Sequence, residues 1–136
     1  MKLLAVFTLF TAALAATGSS CATASSAGGD VATDTAAAHA QVIQLEAAAR
    51  ALAKTDGCNA ATQCRTAALG HKACGGPRTY LVYCAATTDS AALFSKLAQL
   101  DTAERAYNAL TGSMSTCEFR MPPTVEAQGG SCRASQ

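Results

Sequence analysis

The chain has 136 residues, half of them nominally hydrophobic, only 14% charged, with a formal net charge of +1 and no Trp. Ten basic residues stand against nine acidic ones, and removing Lys2 makes the two equal, so the chain lacks the basic excess that nucleic acid or an anionic membrane surface would need. Much of the hydrophobic share is Ala, so the core must be thin, and about 115 residues beyond the first twenty are enough for one domain but not two.

The chain opens with Met1-Lys2 and an apolar run of Leu, Ala, Val and Phe from Leu3 to Ala16, broken only by Thr8 and Thr11. A short positive start followed by a run below the roughly 20 residues of a membrane span is the layout of a secretory signal, expected over residues 1–20. Gly18, Ser19 and Ser20 directly before Cys21 resemble a bacterial lipobox, in which the Cys is acylated and becomes the first mature residue. Gly18 stands where an aliphatic residue is usual. Ordinary signal peptidase could instead cut after Ala13-Leu14-Ala15 or Ala22-Thr23-Ala24.

Cysteine parity bears on that choice. Of seven Cys, acylation of Cys21 leaves Cys58, Cys64, Cys74, Cys84, Cys117 and Cys132, which can pair completely. Cleavage after Ala24 leaves the same six, so parity argues only against cleavage after Ala15. Lipidation at Cys21 is the preferred reading. Ala22 is not the Asp that usually retains lipoproteins at the inner membrane, so the lipid partner is the outer-membrane bilayer, held through an N-terminal acyl anchor with the domain facing the periplasm. A soluble periplasmic or secreted form is the alternative.

Residues 21–32, small and polar, read as a flexible tether, leaving a disulfide-stabilised domain over 33–136. A helix is expected over about 34–54, where Ala38, Val42, Leu45, Ala49 and Leu52 recur at helical spacing, Glu46 and Arg50 can pair, and Gly57 follows as a stop. A second is expected over about 90–111, with Leu93, Leu97, Leu100, Tyr107 and Leu110 on one stripe, Thr88 or Asp89 as cap and Gly112 as terminator. The two stripes should face each other as core.

Between them, residues 79–83 are aromatic and β-branched and read as a short strand; residues 65–69 can pair with it or stand alone. Gly75-Gly76-Pro77 makes a tight turn beside Cys74. Met121-Pro122-Pro123 forbids a helix in the tail, which reads as a loop closed by a bridge. The expected fold is mainly α: two amphipathic helices packed together, a disulfide-stapled, partly extended segment between them, and a Cys-closed C-terminal loop. Of the fifteen pairings open to six cysteines, the local set Cys64–Cys74, Cys117–Cys132 and Cys58–Cys84 is preferred.

Gln63-Cys64-Arg65, then Ala73-Cys74-Gly75-Gly76-Pro77 with Tyr80-Leu81 and Tyr83, then Tyr107-Asn108, Ser115-Thr116-Cys117 and Gly129-Gly130-Ser131-Cys132, resemble a group of small Cys-containing exported or lipid-anchored proteobacterial proteins. The resemblance spans residues 58–132. It implies export and disulfides, and no activity. Cys84 departs from it, standing where Ser is expected.

Motif chemistry is sparse. The intervals between the six cysteines are five, nine, nine, thirty-two and fourteen residues, with no C-x-x-C for thiol catalysis and none of the close ligand pairs of structural zinc. Gly-x-Ser-x-Gly, Walker and dinucleotide patterns are absent, so no catalytic residue, metal or cofactor is assigned. His39 and His71 read as exposed or capping imidazoles, and the carboxylates as solvated helix charges. The expectation is a non-catalytic envelope protein that binds a protein partner through a loop carrying His71, Lys72 and Arg78. The alternative is a redox-active periplasmic protein with one exposed, reducible bridge.

Overall fold

The computed structural model describes residues 27–135. Signal, lipobox and the first half of the expected tether, residues 21–26, lie outside the described residues. Helix α1 spans Ala27–Leu52, strands β1 and β2 span Cys64–Leu69 and Thr79–Cys84, helix α2 spans Ser90–Thr111, and strands β3 and β4 span Val125–Gln128 and Ser131–Ala134. Two helices packed together, short strands and three disulfides match the expected architecture. A mainly α description fits only in part, because the strands form two antiparallel hairpins.

Local sequence accounts for the boundaries of α2. The Ala92 N–H donates to Asp89 Oδ1 at 3.0 Å, which makes Asp89 the N-cap, and Gly112 closes the helix at φ +59° with its N–H donating to Asn108 O. Thr88, the other cap candidate, is buried and bonds the Lys54 backbone in both directions, tying the end of α1 to the start of α2. α1 begins at Ala27, about two turns before the expected start, so residues 27–32 of the expected tether are helical. Its Ala-rich sequence and Asp30 in the first turn favour that extension.

The helices run antiparallel, with the end of α1 beside the start of α2 and His39 of α1 stacked on Tyr107 of α2 at 5.3 Å between ring centroids. Val42 and Ala49 meet Leu93, Leu97 and Leu100, while Leu45, Leu52 and Tyr107 pack partly buried beside them. Leu110, expected on the stripe, is exposed. In the β1–β2 hairpin Ala67 pairs with Leu81, Leu69 with Thr79 and Arg65 with Tyr83. Strand alternation puts Ala67, Leu69, Leu81 and Tyr83 on the face toward the helices, where they complete the core.

The other face of that hairpin has little apolar bulk, and disulfides fill it. Cys58, Cys64, Cys84 and Cys132 form a second buried cluster with Val82, Val125 and Ala127 against it. The third layer is the β3–β4 hairpin, whose Gly129-Gly130 turn takes φ +59° and +77°, as the two-residue turn between short strands demands. The tail is therefore a hairpin preceded by an irregular strap, residues 113–124, where a bridged loop was expected.

Cysteine pairing corrects two of the three preferred bridges. Cys58–Cys84 is present as expected; the others are Cys64–Cys132 and Cys74–Cys117. Cys64 starts β1 opposite Cys84, whereas Cys74 lies in the turn beyond Leu69 at the far end of that strand. A strand of this length holds the two about 16 Å apart, well beyond the roughly 7 Å a disulfide can span. Cys132 on β4 is carried into the buried cluster, out of reach of Cys117 on the strap.

Candidate functional site

A cleft of about 270 Å³ opens where α1, α2 and the turn after β1 meet, and it brings together Glu46, His71, Arg78, Glu104 and Asn108. Glu104 is central to it. Its spacing from Leu93, Leu97, Leu100 and Tyr107 puts it on the apolar stripe of α2, and it is 5% exposed. A carboxylate there must be paired. Arg78, just before β2, supplies the partner: its Nε donates to Glu104 Oε1 at 2.7 Å, and an outer nitrogen reaches both Glu104 Oε1 and Glu46 Oε2 of α1 at 2.6 Å. Glu104 Oε2 also accepts from the His71 backbone N–H.

Arg78 therefore bridges the two helices. Glu46 is also paired with Arg50 one turn later at 2.7 Å, as its spacing predicts. Burial works against the Glu46 carboxylate, but hydrogen bonds from Arg78 and Arg50 outweigh it and hold its pKa below the ordinary carboxylate value. The Arg78 guanidinium is pushed the other way, mainly by its bond to Glu104. Gly70 makes the approach possible: at φ +73°, a Cβ there would sit 2.5 Å from Glu104 Oε2 and 2.7 Å from Arg78 Nε.

His71 is neither exposed nor a helix cap, contrary to expectation. Its side chain is 14% exposed, its Nδ1 lies 3.0 Å from Asp101 Oδ1, and its carbonyl accepts from Asn108 Nδ2 at 3.0 Å. With Nδ1–H donating to the carboxylate, the neutral ring keeps its lone pair on Nε2. Asp101 is held below its ordinary pKa, chiefly by the hydrogen bond from Arg105 at 2.8 Å. Among the described residues no Ser, Thr or Cys lines the cleft beside this His–Asp pair to serve as a nucleophile. A larger groove of about 630 Å³ between Leu45 of α1 and Ala98, Thr102 and Ala106 of α2 has no titratable lining at all.

The three residues expected to form a contact loop thus have internal partners. His71 and Arg78 hold the cleft together, and Lys72 Nζ donates to Glu118 O on the strap. The outward part of the loop is instead Ala73 to Gly76, which is exposed. Across from it, the strap presents Met114, Phe119 and Met121 at 95%, 80% and 72% exposure. A second cleft of about 360 Å³ lies between turn and strap, lined by Lys72, Cys74, Pro77, Cys117, Phe119 and Arg120.

Four of the six bridged cysteines are almost fully buried, while Cys74 and Cys117 are exposed. The sulfurs of Cys58, Cys84 and Cys132 lie within 4.8 Å of one another, close enough for a shared metal. All three are in disulfides, so none is a thiolate ligand in this form. The missed residues had one sequence signal between them: Glu104 interrupts an otherwise apolar stripe. Three disulfides fit an oxidising compartment, and among the described residues no helix is long and apolar enough to cross a membrane. Comparison with protein-family models, with curated proteins and with solved structures finds no match.

Proposed function

We propose that this is an exported cell-envelope lipoprotein, acylated at Cys21, anchored in the outer membrane facing the periplasm, and acting without catalysis as a binding or structural module for an envelope protein. One observation carries the reading: Cys58, Cys64, Cys74, Cys84, Cys117 and Cys132 pair completely among themselves, so Cys21 is surplus to the domain's bridges, as acylation at Cys21 or cleavage after Ala24 would each have it. Acylation is preferred of the two because Cys21 directly follows the small residues Gly18, Ser19 and Ser20 and an apolar leader.

The non-catalytic part of the reading is supported by the cleft, whose Arg78 is spent on Glu46 and Glu104, and whose His71 is paired with Asp101 beside it. The contact face is the outward turn from Ala73 to Gly76 together with Met114, Phe119 and Met121. Large apolar side chains at such exposure, on a segment pre-ordered by a bridge, cost little entropy when a partner covers them.

Fractionation tests the anchor. Wild-type protein should sediment with the outer membrane and Cys21→Ser should move to the soluble envelope fraction; identical distributions would refute acylation. Crosslinking in intact cells tests the face. A discrete adduct lost in Phe119→Ser but retained in Phe94→Ser, on the exposed side of α2, is the expected result. Equal loss in both variants would reject the strap as the contact.

A further inference from the structure

Of the three bridges, we infer that Cys74–Cys117 is a reduction site for an external dithiol, and that opening it releases the strap that carries Met114, Phe119 and Met121. The inference holds whatever that strap binds. Its ground is the contrast among the disulfides. Cys58, Cys64, Cys84 and Cys132 are between 0% and 2% exposed, whereas both sulfur-bearing residues of the third bridge are exposed.

Access is also shaped. Both cysteines line the cleft between turn and strap, and the neighbouring Gly75 and Gly76 add no side chain to it, with nothing within 4 Å of where a Cβ would stand. Lys72, Arg120 and Glu118 line the same cleft, two cations against one carboxylate. Cations beside a thiol favour its thiolate, which helps the displaced sulfur leave.

The chemistry is a two-step exchange. A thiolate of the dithiol attacks one of the two sulfurs, forming a mixed disulfide and expelling the other as a thiolate. The second thiol of the reductant, once deprotonated, then attacks its own half of the mixed disulfide and releases the remaining cysteine. The reductant ends as a disulfide, having given up two electrons and two protons; Cys74 and Cys117 gain both and end as thiols.

What opening changes is the strap. Besides the bridge, residues 113–124 are tied to the turn and β2 by Cys74 N–H to Ser115 Oγ at 3.0 Å, Lys72 Nζ to Glu118 O, and Tyr80 Oη–H to Arg120 O at 3.1 Å. All three are exposed hydrogen bonds, each a modest restraint. Helix α2, the two hairpins and the buried bridges are not held by Cys74 or Cys117, so the body should keep its structure.

The test uses the oxidised protein with graded dithiothreitol, acid quench, alkylation and peptide mapping, alongside chymotrypsin cleavage and far-UV circular dichroism. Cys74 and Cys117 should become alkylatable at about tenfold lower reductant than the other four, with helicity unchanged and cleavage after Phe119 about tenfold faster. Lys72→Gln with Arg120→Gln should slow reduction about threefold or more, and oxidised glutathione should restore the same bridge. Labelling of all six cysteines together would overturn the site. Cleavage that stays slow after selective reduction would overturn the released strap, and an unchanged rate in the double variant would overturn the role of the cations.

Discussion

Replacing Arg78 by Met removes the guanidinium that links Glu104 of α2 to Glu46 of α1 while keeping most of the side chain's apolar bulk. Glu104, with its side chain 6% exposed, is left with the His71 N–H as its remaining donor. Breaking a buried pair in this way costs about 3–5 kcal/mol where water cannot reach, but Arg78 is 38% exposed and Glu46 23%, so solvent recovers part of it. The expected loss is about 2–3 kcal/mol. Urea unfolding of the oxidised protein at pH 7, followed by far-UV circular dichroism, would read it as a lower midpoint at unchanged m-value. Glu104→Met added to Arg78→Met removes the stranded carboxylate and should recover about 1 kcal/mol or more, despite orphaning the His71 N–H. A single variant within about 0.5 kcal/mol of wild type, or a double variant less stable than Arg78→Met, would refute the assignment of this network as the tie between the helices.

Three more predictions follow from the same geometry. Gly70→Ala should cost about 2 kcal/mol or more, because the methyl meets the Glu104–Arg78 pair and the backbone sits at φ +73°; a neutral result by thermal melting would contradict the close approach. Glu46 and Asp101 titrate below their ordinary values of 4.5 and 3.8, so the stability they add is fully present above those values and is lost as pH falls through the lower folded ones. Tm should therefore hold from pH 7 to about 5 and drop below about 4.5, and a Tm that rises on acidification would have the wrong sign. Asp89→Ala should lose about 1 kcal/mol by removing the α2 cap, a loss that Asp89→Ser should largely avoid.

What the sequence disclosed depended on whether the signal was local. The bounds of α2 are legible because Asp89 and Gly112 act within one turn of themselves. Strand β2 is legible as a short aromatic and β-branched run, whereas the pairing of residues 65–69 with it stayed open until the fold showed their register. Cysteine connectivity is not, since it depends on register and layer order: Cys64 stands opposite Cys84 on the hairpin yet bonds Cys132, 68 residues away, because β3–β4 folds back beneath the sheet. That second hairpin carried its own mark, Gly129-Gly130 between four-residue strands, but the prolines nearby and the assumption of a locally closed tail pointed to a loop. In the cleft, Glu104 was readable as a charge on an apolar stripe, whereas its partner Arg78, 26 positions earlier, could be assigned only once the fold placed it there. Arg78, Lys72 and His71 looked like loop residues offered to a partner, and the same distant contacts turn them to the protein's own groups.

The intact mass of the protein purified from bacterial envelope, before and after reduction and alkylation, tests the central claim most directly. The account predicts an acylated chain beginning at Cys21, with no alkylation before reduction and six sites after it. An unlipidated chain carrying two or more free thiols before reduction would contradict both the anchor and the three-bridge domain.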